Sequence, residues 1–123
     1  MLTWHGIIVD KSLQDPGMID DFKILGQKIA DDDPNDVWTL YRIQVKAHQI
    51  DRVIKRVQQN LQEGGWYAHF YKDKNLIVVF KERIFRVTTD PETWKMLLLY
   101  AKGLHIPADQ LDFFPCSEED ETF

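Results

Sequence analysis

The change of hydrophobic period between residues 46 and 50 constrains this chain more than any other feature. From Val37 to Lys46 the pattern alternates, with Tyr41, Ile43 and Val45 on one side and Leu40, Arg42 and Gln44 on the other. Alternation of this kind requires a pleated strand. Directly afterwards Ile50, Val53, Ile54, Val57 and Leu61 recur at helical spacing, while Asp51, Arg52, Lys55, Arg56, Gln58 and Gln59 fill the opposite side. That is an amphipathic helix, stopped by Gly64-Gly65. A strand followed by a helix that must bury one stripe commits the chain to a sheet with a helix packed on it.

The flanking segments extend this plan. Trp4 to Val9 and Phe22 to Ala30 read as strands, the second broken by Gly26. Pro16 and Gly17 punctuate the stretch between them, and Asp31 to Asp36 consists of turn-forming residues. Downstream, Trp66 to Lys72, Leu76 to Lys81 and Arg83 to Thr88 form a three-strand meander. Thr89 and Glu92 then have capping-box spacing, with Pro91 tolerated in the first turn. Trp94, Leu97, Leu98, Ala101 and Leu104 supply the stripe of a second helix, which Gly103 ends. Pro107 to Leu111 reads as one more short turn. The order is β-β-β-α-β-β-β-α. The expected fold is α+β, an antiparallel or mixed β-sheet with two helices packed on one face, ferredoxin-like in outline. Residues 1–116 are expected to form a single domain. Residues 117–123, with four carboxylates, read as an acidic, mobile tail.

Charge and cysteine usage exclude several classes. Asp31 to Asp33 and Glu118 to Glu121 hold seven of the 20 carboxylates, and the remainder nearly balances the 15 basic residues. No basic patch dense enough to neutralise phosphates is present, so no nucleic-acid binding is expected. The single cysteine, Cys116, cannot form an internal disulfide and fits a reducing compartment. Met1 to His5 lacks the basic start and apolar run of a signal peptide, and no apolar stretch approaches a membrane span. A cytoplasmic location without membrane attachment is expected. His5, His48, His69 and His105 have no zinc spacing, and Asp31 to Asp33 lack the alternating ligands of a calcium loop, so no metal or cofactor is expected. Cys116 sits beside carboxylates, which disfavour a nucleophilic thiolate.

Several segments together, Trp66-Tyr67-Ala68-His69-Phe70, Ile84-Phe85-Arg86-Val87, Gly103-Leu104-His105-Ile106-Pro107 and Gln110-Leu111-Asp112-Phe113, resemble a small family of uncharacterised single-domain prokaryotic proteins. The resemblance is best over the C-terminal half and weaker over Gly6 to Leu13. It implies no activity and carries over no functional residue.

The meander supplies the functional signal. A three-residue turn at Asp73 to Asn75, with Asn75 left-handed, pairs Lys72 with Leu76. Trp66, Ala68 and Phe70 then share an apolar core face with Leu76, Val78 and Phe80, joined by Phe85 and Val87. The opposite face holds Tyr67, His69, Tyr71, Ile77, Val79, Ile84 and Arg86, which is too apolar for water. A two-residue loop at Asp73-Lys74 would exchange the odd-numbered sets. Three covers fit this face: the first thirty residues, a second copy of the chain, or a ligand or partner. Tyr67, His69, Tyr71 and Arg86 are the candidate binding residues, because rings with polar tips and arginine suit interface centres. The leading expectation is a non-enzymatic interaction or regulatory module that self-associates as a homodimer through this face. The alternative is a small enzyme using His69 as acid/base in a pocket there.

Overall fold

The computed structural model describes residues 2–123. The elements follow the sequence patterns closely. The strands are β1 (Thr3–Val9), β2 (Lys23–Ala30), β3 (Trp38–Lys46), β4 (Tyr67–Lys72), β5 (Asn75–Phe80) and β6 (Ile84–Thr88). The helices are α1 (Ile50–Asn60) and α2 (Lys95–Gly103). A 3-10 turn, Pro91–Trp94, leads into α2. It is capped by the Asp90 carboxylate, which accepts from the Glu92 N–H at 3.0 Å.

The six strands form one open antiparallel sheet in the order β2-β3-β1-β4-β5-β6. This is not the ferredoxin-like order. The reason lies in β1, which inserts between β3 and β4 and is antiparallel to both. Strands β3 and β4 therefore run parallel without touching, and α1 crosses over β1 to join them. Every neighbouring pair is antiparallel; β4-β5-β6 is a meander, whereas β1 and β2, consecutive in sequence, are separated by β3.

The helices lie on opposite faces of the sheet, not on one. The α1 stripe Ile50, Val53, Ile54 and Val57, with Leu61, packs with Trp4, Ile8, Ile43, Val45, Ala68, Phe70, Ile77 and Val79. Leu13, Met18 and Ile19 close this layer from the N-terminal segment, tied to the end of α1 by the Leu13–Leu61 bridge and by Gln62 N–H donating to the Ser12 carbonyl at 2.7 Å. The other layer joins Ile7, Tyr71, Leu76, Val78, Phe80 and Phe85 to Trp94, Leu97, Ala101, Ile106, Leu111 and Phe113. Leu98, placed in the α2 stripe by periodicity, is 38% exposed, because this nine-residue helix turns Leu97, Ala101 and the Tyr100 ring to the sheet instead.

One turn accounts for the split. Lys72 pairs with Asn75, so the β4–β5 loop has two residues, Asp73 and Lys74. Asp73, not Asn75, takes the left-handed conformation, with φ of 55°. Odd residues of β4 thus oppose even residues of β5: Tyr71 faces Leu76 and His69 faces Val78. Every side chain of β4 is on the face opposite to that given by a three-residue turn. The β5–β6 pairing keeps the expected parity, with Val78 opposite Phe85.

Close approach in the α1 layer demands a glycine at position 6. A Cβ there would lie 2.4 Å from the Phe70 ring, which covers Gly6 across the β1–β4 ladder.

Candidate functional site

Pairing along β3, β1 and β4 gathers one set of side chains on the α2 face of the sheet. Val9 opposes Leu40, Ile7 opposes Arg42 and His69, and His5 opposes Tyr71. After α2, residues 104–123 run back over these strands. Phe113, with φ of 52°, sits buried among Trp94, Tyr67 and His69, at ring-centroid distances of 5.0, 5.6 and 6.0 Å. Further along, Phe123 packs on this layer beside β2, where a Cβ on Gly26 would stand 2.5 Å from its backbone. The acidic segment, expected to be mobile, is thus laid against the sheet at Glu121 and Phe123.

The returning segment leaves a cleft of about 550 Å³ against β1 and β3. Ile7, Val9 and Leu40 form its floor, and Trp38, Trp66 and Phe114 stand among its walls. Trp38 and Trp66 meet edge to face at 5.1 Å. His105, with φ of 61°, and Asp112 line the same cleft.

His69 also lines the cleft. Its Nε2 donates to the Pro115 carbonyl at 2.8 Å, which leaves Nδ1 as the acceptor nitrogen of a neutral ring. Burial lowers its pKa to about 4, against smaller upward pulls from the Pro115 carbonyl and Asp112. The Tyr67 hydroxyl donates to the Gln110 carbonyl, and burial, then Asp112, hold that phenol above its ordinary range.

A second polar group lies at the other end of the same face. Glu121 receives three donors: Arg42 Nη1 at 2.7 Å on Oε1, His5 Nδ1 at 2.6 Å on Oε2, and the Tyr71 hydroxyl on Oε2. The Arg42 and Glu121 side chains are each only 13% exposed. Burial and the Glu121 carboxylate both hold the Tyr71 phenol protonated.

Of the four residues singled out by sequence, Tyr67, His69 and Tyr71 come together on this face. Arg86 does not. It pairs with Ile77 on the α1 face and bridges to Asp51 at 2.7 Å at an exposed position. Ile77, Val79 and Ile84 lie on that face as well, covered by α1 and the N-terminal segment. Sequence reasoning missed His5 and Glu121, and did not count Arg42 among the binding residues. The one signal for them was an arginine in the middle of a strand flanked by Leu40 and Gln44 on its own side. Cys116 is held close to Asp120, its sulfur 3.4 Å from Oδ2, and burial followed by that carboxylate pushes the thiol up to about 11. It is therefore protonated and poorly nucleophilic. Among the described residues no helix is long and apolar enough to cross a membrane.

No protein-family model matches this chain, and neither a curated protein nor a solved structure matches it.

Proposed function

We propose that this protein is a non-enzymatic binding module whose cleft takes a small, flat, largely apolar molecule. The carrying observation is the cleft itself. It has about 550 Å³, aromatic walls and one buried imidazole acceptor at its edge. Concave sites of this size, apolar with a few placed polar groups, are the usual form of small-molecule sites. The chemistry of those groups favours binding over catalysis. An imidazole titrating near pH 4, with its Nε2 proton committed to the Pro115 carbonyl, can accept a ligand's hydrogen bond at Nδ1 but is no general acid and only a weak base at neutral pH. Self-association through the face of Tyr67, His69 and Tyr71 would require residues 104–123 to leave it, since His69 and Tyr71 are already buried beneath them.

Titration with 2-naphthamide, followed by tryptophan fluorescence, tests this reading. Trp38 and Trp66 line the cleft, so saturable quenching with a micromolar Kd is expected. Leu40→Trp should fill the cleft and abolish the signal while the protein stays folded. A naphthamide titration without saturation in the wild type would overturn the proposal.

A further inference from the structure

We propose that Arg42, His5 and Tyr71 form a binding site for a ligand carboxylate, filled from within the chain by Glu121. The inference rests on the small-molecule reading above and names the ligand's polar group: the apolar body lies in the cleft and the carboxylate reaches Arg42.

Three observations carry it. First, donors and acceptor differ in origin. Arg42, His5 and Tyr71 stand on β3, β1 and β4, three adjacent strands at the centre of the sheet, each laddered on both sides. Glu121 belongs to the returning segment, whose only regular structure is two 3-10 turns, Ala108–Gln110 and Glu118–Asp120. Rigid donors converging on an acceptor from irregular chain make a preformed site with a tethered occupant. Second, the occupant satisfies the site incompletely. Arg42 Nη1 donates to Glu121 and Nη2 to the Leu25 carbonyl at 3.4 Å, but Nε is buried without a partner. A buried guanidinium N–H lacking an acceptor is costly, and an untethered carboxylate can settle where Glu121 does not reach. Third, the site adjoins the cleft. Ile7 lines the cleft and is the cross-strand neighbour of Arg42 on the same face.

The donor set selects a carboxylate over a phosphate. One guanidinium, one imidazole and one phenol match a single planar charge, as Glu121 demonstrates. A phosphate dianion would bring a second charge to a pocket with one permanent cation, with Glu118 already 3.8 Å from His5 Nε2. Glu118 is 58% exposed and can turn to water as a ligand enters.

Because Glu121 competes from the same chain, wild-type affinity for a carboxylate is reduced in proportion to the time the site is filled. The experiment compares 2-naphthoate with the neutral 2-naphthamide on four proteins: wild type, Glu121→Gln, Glu121→Gln with Arg42→Gln, and Gly26→Ala. Glu121→Gln should bind naphthoate at least tenfold more tightly than wild type, with naphthamide unchanged. The double variant should lose that gain. Gly26→Ala keeps all three donors and Glu121. Its Cβ would meet the Phe123 backbone at 2.5 Å, and Arg42 Nη2 at 3.2 Å, a contact that a small shift of the side chain relieves. It should lift the end of the segment and raise naphthoate affinity in the same direction, which keeps the test decisive should Glu121→Gln fail to fold. If naphthamide binds and neither variant gains for naphthoate, the carboxylate site is overturned and the cleft stands. If the double variant keeps the gain, relief of repulsion explains it and the site is overturned. If neither compound binds any of the proteins, both readings fall.

Discussion

The His69 ring, enclosed by Phe113 and the Pro115 carbonyl, titrates near pH 4 in the folded protein, against 6.5 for an ordinary imidazole. Between those values the unfolded chain holds a proton that the folded one lacks, so acid draws the equilibrium towards unfolding. The contribution is fully present above pH 6.5, is lost progressively as pH falls towards 4, and changes no further below that. Its size is about 3 kcal/mol from the linkage of the two pKa values. His69→Gln removes the ionisation and keeps a donor for Pro115. Denaturant melts between pH 7 and 4 should show wild-type stability falling more steeply than that of the variant. Parallel curves would mean that His69 is protonated in the folded state over the same range.

At the scale of elements, the segment after α2 is where charge pairing matters most. Composition made residues 117–123 a free tail: four carboxylates and one large apolar residue cannot offset their own ordering entropy by burial. The contacts that place it are ionic. Glu121 meets Arg42 and His5, and Phe123 lies beneath the Arg42 guanidinium at 6.0 Å from its ring centre. Removing residues 117–123 would leave Arg42 largely buried without its carboxylate. A loss of about 1–3 kcal/mol is expected, below the full cost of breaking a buried pair because water enters the vacated space. The measurement is the shift in urea midpoint. An unchanged midpoint would show that this segment contributes nothing to the fold.

At the scale of the molecule, the sheet is a central layer with apolar side chains on both faces, so neither face tolerates a buried charge without a partner. Ile77 is 2% exposed beneath α1 and Phe80 is fully buried beneath α2. Phe80→Ala should cost about 3–5 kcal/mol in denaturant melts, as for other buried rings. Ile77→Asp should prevent folding, because an unpaired carboxylate would be buried in the α1 core. A folded Ile77→Asp protein would show that α1 does not cover that face.

Local pattern by itself determined the elements. The alternation from Val37 to Lys46 and the stripe from Ile50 to Leu61 are written in consecutive residues, and the six strands and two helices lie within a few residues of where those periods put them, although α1 ends at Asn60, ahead of the Gly64-Gly65 stop, where Leu61 turns extended to bridge Leu13. Local pattern also showed that both faces of the meander are too apolar for water. Tertiary pairing decided the rest. Whether Asp73 or Asn75 turns left-handed is a choice between two sterically permitted loops, and it sets which side of β4 faces which helix. The place of β1 between β3 and β4 depends on ladders between residues far apart in sequence, which no window of consecutive residues contains. The same holds for the candidate site: Arg42 and Glu121 are 79 residues apart, and His5 and Glu121 are 116 apart. Nothing local distinguishes Glu121 from its acidic neighbours; it alone among them meets Arg42, because the chain turns back over the sheet after α2.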